Sequence, residues 1–270
     1  MLFKQKSCPT CGQNYDPALQ ICPHCQSDNE DFKDKHISKG ATFVPWHWQL
    51  IYVAIGTVGL YIVSFIITLI AALITKDTNI LNAIVNYSVY LLLGAIFTPL
   101  LIIFAKSIWK TFTKWQTYVF GILIGVGMVL FSMLYTYLIS LTGFTAVNDN
   151  EQTVENITKN YPILAVIVIG LIGPLCEEAT YRLGLFSFCS RVNRIFAYII
   201  NGLIFGFIHF NFSNITSPVE WLMLPDYIIS GVVLALAYDF FGFGCSYIAH
   251  ATNNIISVVS TIIFGIVMVH

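Results

Sequence analysis

The stretch that decides the fold is WHWQLIYVAIGTVGLYIVSFIITLIAALIT, residues 46–75, which contains no Asp, Glu, Lys or Arg. A helix needs about 20 apolar residues to cross the hydrocarbon core of a bilayer, so this stretch is long enough to span it. Trp46, Trp48 and Tyr52 at its start are typical of the aromatic belt at a membrane surface. The stretch begins too far into the chain, and is too long, to be a signal peptide.

Further uncharged runs predict an all-α, polytopic membrane protein with about seven transmembrane helices. Backbone groups in lipid must find their hydrogen bonds within the segment, and these runs lack the alternation of strands, so helices are favoured. Gly121-x3-Gly125 and Gly202-x3-Gly206 offer small faces for close helix packing. After the first span, the predicted spans lie near residues 82–105, 116–142, 161–189, 195–210, 221–241 and 244–269.

The charged residues are concentrated near the N-terminus. Residues 1–40 hold 10 of the 27 charged residues in a chain of 270, whose mean hydropathy is +0.75. An apolar content of 57% excludes an ordinary soluble domain and a disordered chain. A formal net charge of −1 offers no basic surface for nucleic acid. The sequence therefore predicts a head at 1–28, a linker at 29–45 and a transmembrane domain at 46–270, which lies in the lipid bilayer.

The head carries two CxxC knuckles separated by ten residues. Cys8, Cys11, Cys22 and Cys25 can present four thiolates tetrahedrally to one ion, which predicts a zinc ribbon with a structural Zn²⁺. So short a head buries too little apolar surface to fold without the metal. The alternative is two disulfides, which a cytoplasmic location disfavours. A zinc ribbon also suits binding of a protein partner.

The distribution of Lys and Arg predicts a multi-pass protein of the cell membrane with a cytoplasmic N-terminus. With seven spans, ten of these residues fall on the N-terminal side of the membrane. Two, Lys76 and Lys159, fall on the opposite side. Positively charged loops favour the cytoplasmic side, so the N-terminus is expected there.

Seven ionisable residues fall inside the predicted spans, and all of them lie in the last four. An ionisable side chain at membrane depth costs several kcal/mol unless it is paired or hydrated. Asp226 and Asp239 lie near the ends of their predicted span, where hydration accounts for them. Cys176, Cys189 and Cys245 are expected to be small buried apolar residues rather than nucleophiles. The seven ionisable residues are Glu177, Glu178, Arg182, His209, Asp226, Asp239 and His250.

The first motif is Glu177-Glu178-Ala-Thr-Tyr-Arg182. Glu178 and Arg182 stand one helical turn apart on one face and are expected to form an ion pair. Glu177 points about 100° around the helix, where it is suited to act as a general base or acid. A structural ion pair with a spare carboxylate in a water pocket is the alternative interpretation.

Two further motifs follow on later spans. Phe205-Gly-Phe-Ile-His209 places a ring and an imidazole one turn apart, and such a histidine can equally be a satisfied core residue. His250-Ala-Thr-Asn-Asn254 aligns an imidazole with a carboxamide, which together can stabilise an oxyanion in a dry site. Alone, this last pair can equally be hydrogen-bonding glue between helices. Counted along the helices, His250 lies only ~9 Å from its span end and His209 ~22 Å. Either bent or re-entrant helices join them, or the predicted span limits are wrong.

The order EExxxR, FxxxH, HxxxN on successive spans resembles the type II CAAX-prenyl-endopeptidase family, also called CPBP or Abi intramembrane glutamic proteases. The resemblance covers about Pro162–Ile266, within a protease-like core at 161–269, whereas the helices at 46–142 carry no motif. It implies an intramembrane endopeptidase that hydrolyses a peptide bond with an activated water. The residues implied to be catalytic or supporting are Glu177, Glu178, Arg182, His209, His250 and Asn254.

The resemblance also implies a role for each of these residues. Glu177, assisted by His209, activates the water. His250 and Asn254 form the oxyanion hole. Glu178 and Arg182 support the site, and no metal or other cofactor is implied there.

Two alternatives stay open. Glu177, His209 and His250 are acceptable ligands for a catalytic zinc ion, which would make the protein a zinc-dependent intramembrane metalloprotease. The same buried groups also suit an ion path, or a non-catalytic scaffold or bacteriocin-immunity protein. A peptide or a membrane protein is the expected substrate of either protease.

Overall fold

The computed structural model describes residues 5–17, 19, 21–30, 44–144 and 147–267, and from residue 46 onward it is mainly helical. The N-terminal head holds a two-stranded antiparallel sheet, β1 (Lys6–Ser7) and β2 (Asn14–Tyr15), in which Lys6 faces Tyr15. Nine helices follow in the described ranges: α1 Trp46–Ile74, α2 Thr78–Ile103, α3 Ala105–Phe112, α4 Trp115–Ser140, α5 Asp149–Asn160, α6 Pro162–Ser190, α7 Arg194–Ile208, α8 Pro218–Phe241 and α9 Phe243–Val267.

The predicted polytopic helical fold is confirmed. Six of these helices (α1, α2, α4, α6, α8 and α9) are long and apolar enough to cross a membrane. The remaining predicted span, at 195–210, corresponds to α7, which is apolar but has 15 residues. At about 1.5 Å per residue α7 is ~22 Å long, shorter than a hydrocarbon core of ~30 Å. Most of the predicted linker, residues 31–43, lies outside the described residues.

Two short helices lie between the apolar ones. α3 follows α2 and carries Lys106 and Lys110, so its composition suits the membrane surface rather than its interior. α5 begins with Asp149, capped by the side chain of Asn148, which accepts a hydrogen bond from the backbone N–H of Glu151. Acidic residues in the first turn of α5 also favour its formation, because they complement the helix dipole. The sequence pattern had not indicated α5, since it is polar on average.

The helix that carries the first motif contains two wide π-helical segments. They are Val168–Ile172 and Ala179–Phe186, and between them the α-helical segment Gly173–Glu178 ends with the two glutamates. Because Pro174 has no N–H, a carbonyl in the preceding turn loses its helical donor. Short π-helical segments within an α-helix are common at functional sites. They change the direction in which the neighbouring side chains point.

Glycines allow the close helix contacts that the small-residue pattern predicted. A Cβ atom on Gly121 of α4 would lie 2.7 Å from Ile248 Cγ2, and one on Gly125 would lie 2.5 Å from the carbonyl oxygen of Ala249. The same holds between α7 and α8, where a Cβ on Gly206 would lie 2.5 Å from Ile228 Cγ1. These distances are shorter than van der Waals contact. Helix α4 can therefore pack so closely on α9, and α7 on α8, only because glycine has no side chain at these positions.

The head is held against one end of the helices. Arg191, just after α6, forms an ion pair with Asp16 and donates from Nε to Gln49 Oε1 at 2.9 Å. Lys106 Nζ donates to Gln26 Oε1 at 2.9 Å. These contacts join the head to α3 and to the end of α6, which is itself bonded to α1, so the head lies at the end of the bundle where α1 and α4 begin.

The expectation of hydration for the two aspartates of α8 was wrong. Asp239 is buried and is paired with Arg194, while the hydroxyl of Tyr198 donates to it at 2.5 Å. Asp226 is also buried, and the hydroxyl of Ser132 lies 2.8 and 2.9 Å from its two carboxylate oxygens. Both carboxylates are therefore satisfied by neighbouring helices. The expectation that Cys176, Cys189 and Cys245 are buried is confirmed.

The glycine contacts lead to a first prediction. Gly125→Val should lower the free energy of unfolding in mild detergent by about 1–3 kcal/mol, because the added side chain must displace α9. Gly127→Val is the matched control, since a Cβ on Gly127 meets no atom within 4 Å. Thermal unfolding of both variants checks this, and an equal loss in the two would contradict the packing described here.

Candidate active site and metal site

The centre of the site is the fully buried carboxylate of Glu178. Arg182 Nε lies 3.1 Å from its Oε2, so the ion pair expected from the sequence is present. His250 Nδ1 lies 2.9 Å from the other oxygen, Oε1. The hydroxyl of Ser246, one turn before His250 on α9, also contacts Oε2. One carboxylate therefore ties α6 to α9.

Phe205 explains why an aromatic ring accompanies the second motif. Its ring lies 4.8 Å from Arg182 Cζ, close enough for a cation–π contact with the buried guanidinium. The same ring is 4.9 Å from the imidazole of His209 and 5.8 Å from that of His250. Phe205 thus shields the ion pair and packs against both histidines.

Glu177 is the carboxylate that faces the cavity. Its Oε1 accepts a hydrogen bond from the hydroxyl of Tyr90 at 2.7 Å. Its Oε2 lies 3.8 Å from His250 Nε2 and has no hydrogen-bond partner among the described residues. The two adjacent glutamates therefore differ: Glu178 is fully engaged, whereas one oxygen of Glu177 is buried without a hydrogen-bond partner.

His209 lies just after the end of α7 and is held by two contacts. Its Nδ1 is 2.8 Å from the carbonyl oxygen of Phe205, which can only accept, so Nδ1 carries a proton and Nε2 is left for other partners. Its ring stacks on Tyr227 with 4.6 Å between centroids and 10° between planes. His209 is therefore oriented by both its own helix and α8.

Asn254 lies one turn after His250 on α9. Its Nδ2 donates to the carbonyl oxygen of Ile169 at 3.0 Å, within the first π-helical segment of α6. Its Oδ1 accepts from Asn253 Nδ2 at 3.2 Å. These bonds use one of the two N–H groups of the Asn254 amide, and the second is available to a ligand.

Side chains from each of the three motifs border one cavity of about 540 Å³. Glu177, His209, His250 and Asn254 all contribute to its wall. The cavity also reaches Glu151 on α5, at the end of the bundle opposite the head. Burial, reinforced by the nearby carboxylate of Asp226, raises the pKa of Glu151 to about 7.

Three further residues at the site were missed from the sequence. Tyr90 comes from α2, a helix without any motif, and nothing in its sequence context distinguishes it from other buried tyrosines. Tyr227 likewise carries no local signal. Ser246 was detectable, because it precedes His250 by four residues and so shares its helix face.

The four cysteines of the head converge as predicted. Their Sγ atoms all lie within 4.8 Å of one another, with 3.6 Å between Cys8 and Cys25 and 3.8 Å between Cys11 and Cys22. A tetrahedral ion with metal–sulfur bonds of about 2.3 Å requires sulfur atoms roughly 3.8 Å apart. All four thiols are free, so the disulfide alternative is not favoured. The cluster is therefore suited to hold one metal ion.

The knuckles owe their shape to two backbone turns. Gly12 and Gln26 adopt positive φ angles of 74° and 60°. Their backbone N–H groups donate to the carbonyl oxygens of Cys8 and Cys22 at 2.9 and 2.8 Å.

Among the described residues, the cysteine cluster is the one group of three or more His, Cys, Asp or Glu side chains whose ligand atoms lie close enough to share a metal. Glu177, His209 and His250 do not form a second such group there.

Comparison with known proteins agrees with the geometry. Residues 159–256 match the model of the family described as type II CAAX prenyl endopeptidase Rce1-like. This range contains all three motifs, so the resemblance inferred from them is confirmed. The chain is a multi-pass membrane protein that lies in a lipid bilayer, and the match supports a protease or hydrolase role.

Two curated relatives share part of the chain. An uncharacterized protein of Mycoplasma capricolum is 34% identical over 140 residues, which cover 50% of this chain and 39% of the relative. The UPF0177 protein YxdF of Lactococcus lactis is 27% identical over 135 residues, covering 48% of this chain and 71% of the relative. The similarity therefore spans well under two thirds of the Mycoplasma protein. No solved structure matches the chain.

The buried ion pair leads to a second prediction. Arg182→Met should reduce the free energy of unfolding by about 3–5 kcal/mol, because it leaves the Glu178 carboxylate buried without its cation. In the double variant Glu178→Gln/Arg182→Met both charges are gone, so much of that loss should be recovered. Chemical denaturation in detergent measures the three proteins. Equal stability of the single and double variants would show that the pair does not act as described.

Proposed function

We propose that this protein is an intramembrane glutamic endopeptidase of the CPBP type. The observation that carries the proposal is the arrangement of Glu177 in the cavity wall, where its Oε1 is anchored and its unpartnered Oε2 is buried beside His250 Nε2. A carboxylate placed in this way can accept a proton from a bound water. His209 assists by presenting Nε2 to the same cavity. The activated water then attacks the scissile carbonyl.

The charges of the site support His250 as an oxyanion donor. His250 uses Nδ1 to bond Glu178, so its Nε2 can donate only when the ring is an imidazolium. A protonated His250, together with Arg182, balances the two carboxylates Glu177 and Glu178. The second N–H of Asn254 completes the oxyanion hole. When the tetrahedral intermediate collapses, the proton held by Glu177 passes to the leaving amine, and no covalent intermediate forms.

We further propose that the protein lies in the cell membrane with its N-terminus on the cytoplasmic side. The excess of Lys and Arg on the side of the head supports a protein of the cell membrane with a cytoplasmic N-terminus. The substrate would be a peptide or a membrane-protein segment that enters the cavity.

We assign Zn²⁺ to the cysteine cluster, because four thiolates at tetrahedral spacing are typical of structural zinc. The head would then be a zinc ribbon that folds with its metal and is open to a protein partner.

A third prediction tests the catalytic base. Glu177→Gln in lipid nanodiscs should lower the cleavage rate of a fluorogenic peptide by about 10²–10⁴-fold, because an amide cannot accept the proton of water. Asp77→Asn is the control, since Asp77 is an exposed helix cap whose role an asparagine can keep. Retained turnover in Glu177→Gln would remove this assignment. A cellular phenotype that survives the loss of cleavage would favour a non-catalytic scaffold.

A fourth prediction concerns the metal. The purified chain should contain about one zinc ion, and Cys8→Ser/Cys11→Ser should contain almost none, because two of the four ligands are removed. Cys189→Ala, which alters a buried cysteine of α6, should keep its zinc. Plasma mass spectrometry gives the stoichiometry. A full equivalent of zinc in the double variant would point instead to zinc at Glu177, His209 and His250.

A further inference from the structure

Tyr90 stands out because it contacts the proposed base from a helix that carries no motif. α2 contains no Asp, Glu, Lys, Arg or His, yet the hydroxyl of Tyr90 donates to Glu177 Oε1 at 2.7 Å. We infer that Tyr90 is a positioning residue for peptide hydrolysis, which keeps the Glu177 carboxylate ionised and turned towards the cavity. This inference rests on the proposed function of Glu177.

The position of Tyr90 is determined by the close packing of α2 against α6. A Cβ atom on Gly94, one turn after Tyr90, would lie 2.7 Å from Ile172 Cγ2. A Cβ on Gly173, one turn before Glu177, would lie 3.6 Å from Tyr90 Cε1. The tyrosine ring therefore packs against Gly173, and the two helices are close enough for the hydroxyl to reach the carboxylate.

No other described side chain takes the place of Tyr90. Arg182, the nearest permanent cation in the helix, is engaged with Glu178, and His250 Nε2 remains 3.8 Å from Glu177. A hydrogen bond to the ionised form of a carboxylate favours that form. It also directs the carboxylate, because with Oε1 anchored the other oxygen must face His250 and the cavity. A base for water needs both properties.

Replacing the hydroxyl alone tests this role. Tyr90→Phe should lower kcat for the fluorogenic peptide by about 10- to 100-fold, the effect of one hydrogen bond to a charged group, with little change in KM. The acid limb of the pH–rate profile should move to higher pH. Tyr87→Phe is the matched control, because Tyr87 lies one turn earlier on α2 and its hydroxyl donates to the carbonyl oxygen of Ile157 instead. It should unfold at a temperature similar to that of Tyr90→Phe and keep the normal pH profile.

A second measurement does not depend on turnover. Infrared difference spectra against Glu177→Gln isolate the carboxyl band of Glu177, and in Tyr90→Phe the ionised band should appear at a higher pH than in the unmodified protein. An unchanged titration overturns the inference, whatever the activity. Cleavage that depends on Glu177 but is unaffected by Tyr90→Phe also overturns it. A shifted titration in a protein without peptidase activity supports the hydrogen bond and rejects the proposed hydrolysis.

Discussion

The structure depends on one carboxylate that is buried completely and has all its partners on other turns and helices. Removing two charges from water costs more than their attraction returns unless further hydrogen bonds satisfy them. Whereas Arg182 has the carboxylate and the ring of Phe205 as its partners, Glu178 meets this condition through Arg182, His250 and Ser246. Because two of these partners are on α9, the carboxylate determines how α9 rotates against α6. The orientation of His250 follows, since its Nδ1 must face Glu178.

The two glutamates have different roles because they differ in their partners. They are adjacent in sequence, so a regular helix turns them about 100° apart. Glu178 points to α9 and is saturated, whereas Glu177 points to α2 and the cavity and keeps one oxygen unpartnered. The site therefore contains one carboxylate that is saturated with partners and a second one that keeps a buried, unpartnered oxygen. The π-helical segments on both sides of this pair allow the neighbouring turns to widen, and one of them supplies the carbonyl that anchors Asn254.

The head and the site share one helix. α6 carries the glutamates and Arg182, and Arg191 at its end holds Asp16 of the head. The cavity, by contrast, extends to α5 at the other end of the bundle. The cysteine cluster and the candidate active site are thus separated along α6 rather than joined in one pocket.

The sequence alone determined the features that depend on neighbours along the chain. Runs without charge predicted the membrane helices, because a charged side chain inside the bilayer costs free energy and is therefore rare in membrane helices. The two knuckles predicted the cysteine cluster, and the spacing of Glu178 and Arg182 predicted their pairing, because residues four apart share one helix face. The order of the three motifs indicated the family. All of these signals are local, so they could be read without knowing how the helices pack.

Only the tertiary structure decided which groups meet from different helices. Tyr90 on α2 contacts Glu177, and Ser132 on α4 satisfies Asp226, although neither α2 nor α4 has a motif. Distances counted along the sequence placed His250 and His209 at unequal depths, and only the structure shows that His250 contacts Glu178 at 2.9 Å. Such contacts depend on helix rotation and on glycine-mediated approach, as at Gly94 and Gly125. These are properties of packing between surfaces, and a single helix sequence does not contain them.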